Sequence, residues 1–103
     1  MRFENLLDIG YRIDILSGHE EARLVFKGCA HTLPLSDKRR LVVDIGGAST
    51  EIIIGKGLEA QRYESFRTGC VNTSIRFFRE GKITQKSLDR ALTACAADLE
   101  ESI

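Results

Sequence analysis

What this 103-residue chain lacks narrows its class before any motif is read. It has one proline, no tryptophan, no internal repeat and no low-complexity tract, which sets aside solenoid, fibrous and linker architectures. It has no net charge, because fifteen Lys+Arg balance fifteen Asp+Glu. The long-range field that draws a nucleic-acid or anionic-membrane binder to its partner is therefore missing, and neither is an expected partner. No apolar run approaches the roughly 20 residues of a transmembrane helix, and no apolar stretch follows Met1 as a secretory signal requires. The expected location is cytoplasmic. With 43% hydrophobic and 29% charged residues the balance is globular, and the length suits one modest core.

Cysteine is also scarce. Cys29, Cys70 and Cys95 are odd in number, widely spaced and without a CxxC pair, which argues against a disulfide framework or a zinc site. Each falls in a segment of helical periodicity beside small or apolar residues, so core packing is the expectation. His19 and His31 stand alone and are expected at the surface or in caps.

A short helix is expected over residues 2–8, stopped by Gly10. Residues 12–16 alternate polar and apolar, as a strand does. Ser17-Gly18-His19-Glu20 then has the form of a capping box, Ser17 taking the amide of Glu20 while that carboxylate reaches back. Behind it Ala22, Val25, Phe26, Cys29 and Ala30 form the apolar stripe of a helix over roughly 18–30. Residues 31–40 hold the proline and end in Lys38-Arg39-Arg40, expected as a solvated loop and as the best domain boundary.

Two β-branched runs, Leu41–Ile45 and Glu51–Gly55, flank the small residues Gly46-Gly47-Ala48-Ser49-Thr50. The pattern predicts an antiparallel hairpin, and apolar residues at consecutive positions predict cover on both faces. A third strand near Ala60–Phe66 follows. Beyond the break at Gly69, Val71, Ile75 and Phe78 predict a short helix stopped by Gly81. Ile83 and Leu88 bracket Thr84 as a staple, and Leu88, Ala91, Leu92, Cys95, Ala96 and Leu99 predict a last helix over about 85–101. The class is α/β.

Chemistry concentrates at residues 44–51. A glycine-rich turn lets main-chain amides approach an anion, and Ser49 and Thr50 add hydroxyls. Asp44, at the end of a buried strand, needs a cation, a water or a hydrogen bond there. The same residues also suit a plain tight turn in which Asp44 caps loop amides. Glu20 has a capping task; Glu21 has none and is free to act as a base on a phosphoryl-attacking water. Arg67, just before Gly69, is a possible phosphate contact.

Three stretches carry a family likeness: Ile15 to Leu24 with its Ser-Gly-His-Glu-Glu-Ala start, Ala30-His31-Thr32, and Leu41 to Gly55 with its Asp-Ile-Gly-Gly-Ala-Ser-Thr-Glu turn. Glu64 to Val71 and Arg76-Phe77-Phe78 extend it. Together they resemble the exopolyphosphatase/guanosine pentaphosphate phosphohydrolase family of the actin-like ATPase superfamily. The resemblance implies a partial actin-like (ribonuclease H-like) fold, a mixed sheet with an antiparallel hairpin and flanking helices. It implies Mg²⁺-dependent hydrolysis of a terminal phosphoanhydride in polyphosphate or guanosine pentaphosphate. By position, Glu21 is then the catalytic water-activating glutamate, Gly46, Gly47, Ala48 and Ser49 the phosphate-binding loop, and Asp44 and Glu51 the acidic pair at the metal. Ala48 stands where the family commonly has a third glycine, a costly exchange if that position needs φ > 0.

The family's first phosphate loop, Asp-x-Gly-Ser-Asn-Ser, has no counterpart here. The expectation is thus a fragment: residues 1–36 as the end of one actin-like domain, residues 37–103 as the opening half of a second. Such a piece is expected to be inactive alone and to self-associate as a homo-oligomer through exposed strand edges. The alternatives are a stand-alone, non-catalytic phosphate-binding or assembly module, and an actin-like kinase for a small metabolite.

Overall fold

A computed structural model describes residues 10–11 and 14–101. The elements run α1 (Gly18–His31), β1 (Arg39–Ile45), β2 (Thr50–Lys56), β3 (Glu59–Phe66), α2 (Cys70–Phe77), a 3₁₀ turn (Arg79–Gly81) and α3 (Gln85–Glu100). The helix expected over 2–8 lies outside the described residues. Of the strand expected over 12–16, residues 14–16 take no strand conformation, and 12–13 lie outside the described residues.

The hairpin forms as its β-branched runs require. β1 and β2 pair antiparallel from Arg39↔Lys56 to Ile45↔Thr50, and β3 adds to β2 antiparallel in the order β1-β2-β3. Among the described residues every pairing is antiparallel. Lys38-Arg39-Arg40 is not wholly a loop, since Arg39 and Arg40 open β1. There each contributes to the ladder through its backbone.

α1 lies across β3 and β2. Ser17 Oγ accepts from the Glu20 amide at 3.2 Å, the forward half of the expected box. The return half is replaced: Glu20 takes Arg23 Nε at 2.9 and 3.2 Å instead. A charge-assisted pair one turn away outcompetes a neutral amide for the carboxylate. The hydrogen bonds from Arg23 hold the Glu20 carboxyl below the usual carboxylate range.

The core is small. Ala22, Phe26, Ala30 and Ile53 are buried together, with Val25, Val42, Ala60 and Tyr63 packed around them. Phe26 also closes over Gly55, where an added Cβ would stand 2.4 Å from the ring and 2.3 Å from the Glu59 carbonyl. No side chain but glycine's hydrogen fits there.

Only one face of the sheet is covered to this depth. Burial alternates along β1, and Leu41, Val43 and Ile45 on the second face are 61%, 51% and 68% exposed. The expected two-sided cover is corrected accordingly, because α2 and α3 reach that face only at its end, where Leu99 and Cys70 meet Val43, Ile45 and Ile52 around an apolar groove. The stripes of the last two helices are correspondingly open: Val71, Ile75 and Leu92 are exposed and only Ala91 of α3 is buried. The cysteines follow suit, since Cys29 and Cys95 are half-buried and Cys70 is exposed, against the expected core packing. Thr84 does cap α3, taking the Ser87 amide at 3.1 Å while Ser87 Oγ takes the Thr84 amide at 2.9 Å.

Candidate functional site

Strand register sorts the covered face into three cross-strand rows. Arg40, Gly55 and Ala60 form the first; Val42, Ile53 and Tyr63 form the second, beneath α1; Asp44, Glu51 and Ser65 form the third, beside the β1–β2 turn. Directly opposed residues on one face have Cβ atoms about 4.5–5.5 Å apart, so Asp44 and Glu51 are neighbours by construction. Glu51 also accepts hydrogen bonds from Ser49 Oγ at 2.8 Å and Ser65 Oγ at 3.0 Å. Asp44 is half-buried and, among the described residues, has no side-chain partner. Two hydroxyls thus hold one carboxylate in place while the other stays open.

The direction of α1 follows from two contacts. Phe26 sits over Gly55 and Gly18 sits against the Tyr63 hydroxyl, so the helix N-terminus is the end nearer the polar row. His19 and Arg23 occupy the β3 flank of α1, lining a small cavity with Ala60, Arg62 and Tyr63. His19 stands edge-on to Tyr63 with centroids 5.9 Å apart, in agreement with a surface histidine. Glu21 shares the opposite flank with Val25, toward β2 and β1 by helical geometry. It is exposed, its main-chain amide donates to the Ser17 carbonyl at 2.9 Å, and among the described residues its carboxylate has no hydrogen bond or ion pair.

The turn at 46–49 is pinned from behind. Its carbonyls receive the first-turn amides of α2: Cys70 N–H donates to Gly46 O at 2.9 Å, and Val71 and Asn72 N–H donate to Gly47 O at 2.8 and 3.1 Å. Asn72 finishes the clamp, its Nδ2 donating to the Ala48 and Arg67 carbonyls at 3.0 Å each and its Oδ1 accepting from Gly69 N–H at 2.9 Å. The helix N-terminus is spent on the turn, so it is not itself the anion site.

What remains open is the turn's own donor set. Gly46 N–H closes onto Ser49 O at 2.9 Å, whereas among the described residues the amides of Gly47, Ala48 and Ser49 find no acceptor. Consecutive free amides form a concavity for an anion. None of these residues has positive φ, so Ala48 fits without the strain weighed for it.

Sequence reading missed Gly69 and Asn72 as the parts that hold this loop. The available signal was an asparagine three residues after a glycine at a helix start, the position from which a side chain caps. Gly69 is needed for close approach: an added Cβ would lie 2.4 Å from Gly47 O and 2.6 Å from Ala48 N. Gly69→Ala is expected to destabilise the chain by about 2–3 kcal/mol, roughly a 10 °C loss in melting temperature. Thermal unfolding followed by circular dichroism measures it. A drop of only a degree or two would mean that the turn and α2 are not locked together. Arg67 enters the site only through its carbonyl.

The described residues hold no cluster of three or more potential ligands for a metal. Mg²⁺ does not require one: it keeps several waters and is commonly held by one or two carboxylates with substrate phosphates. The Asp44–Glu51 pair beside free amides fits that pattern.

Known proteins are similar to this chain in sequence and in fold. The sequence profile of the Ppx/GppA phosphatase family matches residues 7–103. The guanosine-5'-triphosphate,3'-diphosphate pyrophosphatase of Photobacterium profundum is 46% identical over 92 residues, covering 89% of this chain and 18% of that protein. The protein of the same name from Aliivibrio fischeri is 46% identical over 91 residues, 88% of this chain and 18% of its own length. Among solved structures, the Aquifex aeolicus PPX-GPPA enzyme superposes with a TM-score of 0.75 at 27% identity, over 92% of this chain and 31% of that one. An exopolyphosphatase-like protein superposes at 0.74 with 31% identity, over 89% and 30%. The chain thus spans 18% of the length of the curated relatives it matches, and its sheet and helices are part of an actin-like α/β fold. A profile match over nearly the whole length, joined to close relatives and superposable structures, establishes that the chain belongs to the Ppx/GppA phosphatase family.

Proposed function

We propose that this chain supplies one side of a site that hydrolyses terminal phosphoanhydrides, in polyphosphate or guanosine pentaphosphate. The observation that carries the reading is the run of free amides at Gly47, Ala48 and Ser49, beside the Asp44–Glu51 pair. The names of the relatives support the substrate class, since two are pyrophosphatases of a guanosine pentaphosphate and a structural neighbour is exopolyphosphatase-like.

In this reading the three amides bind phosphoryl oxygens and orient the terminal group. Glu21 accepts the proton of the attacking water at its carboxylate, a role open to it because nothing else in the described chain engages it. Gln would keep its shape and lose that basicity. Asp44 and Glu51 would hold Mg²⁺ partly through waters, and the bound ion would supply positive charge against the phosphate oxygens. Ser49 and Ser65 keep Glu51 aimed at that place. Catalysis of phosphoryl transfer rests on positioning and on charge stabilisation at several oxygens together. One loop reaches those oxygens from one side only.

The chain by itself is therefore expected to bind inorganic tripolyphosphate in Mg²⁺ yet release no phosphate above background. Phosphate release measured with polyphosphate, guanosine pentaphosphate, and ATP plus acceptor tests this. Turnover of polyphosphate by the chain alone would overturn the one-sided site, and transfer from ATP to an acceptor would favour a kinase.

A further inference from the structure

We propose that Asn72 is a positioning residue of the anion-binding turn. Its side-chain amide holds the Ala48–Ser49 peptide so that Ser49 N–H faces the phosphate, a role that rests on the phosphate-binding reading of that turn. A trans peptide is planar with its N–H opposite its C=O, so whatever fixes a carbonyl also aims the amide of the next residue. Among the described residues no peptide bond is cis. The carbonyls that precede the amides of Gly47, Ala48 and Ser49 are those of Gly46, Gly47 and Ala48, and all three accept from the start of α2. Cys70 N–H serves the first, Val71 and Asn72 N–H the second, and Asn72 Nδ2 the third. Main-chain donors, which most residue types would supply, hold two of these peptides. The third depends on one side chain.

That side chain is itself fixed. Its Oδ1 accepts from Gly69 N–H at 2.9 Å, and Nδ2 donates to the Arg67 carbonyl as well as to that of Ala48, at 3.0 Å each. The reversed amide would set its oxygen against two carbonyls and its nitrogen against an N–H, so the network admits one orientation. A donor on the Ala48 carbonyl also strengthens Ser49 N–H as a donor, because linked hydrogen bonds polarise one another. Ser49 Oγ donates to Glu51 at 2.8 Å, which leaves the amide as that residue's donor for an anion.

Capping and aiming can be separated, because α3 carries a serine at the equivalent third position. Ser87 Oγ accepts from Thr84 N–H at 2.9 Å and passes its own proton to the Thr84 carbonyl at 3.0 Å. Asn72→Ser therefore keeps an acceptor for Gly69 N–H and removes the donor to Ala48.

Titration of the ¹⁵N-labelled chain and of its Asn72→Ser variant with inorganic tripolyphosphate in Mg²⁺ tests the assignment. The variant is expected to bind roughly three- to tenfold more weakly, the scale of one net hydrogen bond. Its Ser49 amide should lose most of its response, while Gly47 and Ala48, whose peptides keep their main-chain donors, retain theirs. General loosening of the fold would instead lower all three together, and that pattern overturns the proposal. Unchanged affinity with a full Ser49 response also overturns it, and leaves the phosphate-binding turn standing. A native chain whose Gly47, Ala48 and Ser49 amides do not respond overturns the turn itself, and the role of Asn72 with it. Should circular dichroism show the variant unfolded, the side-chain amide protons of Asn72 in the native chain decide. A downfield move of the proton donated to Ala48, in step with Ser49 N–H as tripolyphosphate is added, supports the coupling; an unmoved proton overturns it.

Discussion

Phe26→Ala is expected to leave most of the chain unfolded at room temperature. Phe26 and Ile53 are the only large side chains in the described chain with no solvent exposure, and three of the six buried apolar residues are alanines. Removing a buried phenyl ring costs about 3–5 kcal/mol, and small neighbours cannot collapse into the space it leaves. A domain of this length has a total stability of about 5 kcal/mol at the low end of the usual range. The ring also closes over Gly55, so its loss unseats α1 from the hairpin rather than merely loosening it. Urea unfolding followed by far-ultraviolet circular dichroism measures the effect. A cost below about 1 kcal/mol would mean that α1 is not what covers this sheet.

Glu21→Gln is expected to lower phosphate release by about 10²–10⁴-fold in a full-length protein carrying this segment, with KM nearly unchanged. Glutamine preserves the size and exposure of the side chain and removes only its ability to take a proton. Folding should not change, because Glu21 has no partner to lose among the described residues. The exposed Glu20 beside it is the internal control. It is engaged by Arg23, so Glu20→Gln should affect that surface pair and spare the rate. A loss of only a few-fold at Glu21, or equal losses at both positions, would remove Glu21 from the chemistry.

The strands and helix starts were legible because local signals and tertiary packing agree there. β-branched runs around Gly46–Thr50 marked the hairpin, although Thr50, expected in the turn, opens β2 opposite Ile45, and Ser17 and Thr84 marked helix starts that the hydrogen bonds bear out. The cover of the sheet was not legible. Leu41, Val43 and Ile45 have the composition of a two-sided core strand, but composition reports what a face can pack against, not whether the packing element is present. The partner of Glu20 was misread for a related reason: a capping box and an i,i+3 ion pair draw on the same carboxylate, and sequence spacing does not rank them.

Of the site, the turn and its acidic neighbours were visible as residue types. Their alignment was not. That Asp44 faces Glu51 and Glu51 faces Ser65 depends on strand register, and that α1 points its N-terminus toward this row depends on Phe26 meeting Gly55. The clamp formed by Gly69 and Asn72 links residues more than twenty positions apart, as from Asn72 to Ala48, beyond the reach of local pattern.

The binding function of the turn is tested most directly by amide chemical shifts of the ¹⁵N-labelled chain during titration with inorganic tripolyphosphate, with and without Mg²⁺. The amides of Gly47, Ala48 and Ser49 are expected to move first and furthest, downfield as they gain an anionic acceptor. Those of Cys70, Val71 and Asn72, already committed to turn carbonyls, should move less. Shifts scattered over the lysine and arginine surface, with Gly47 to Ser49 unmoved, would contradict a phosphate-binding turn.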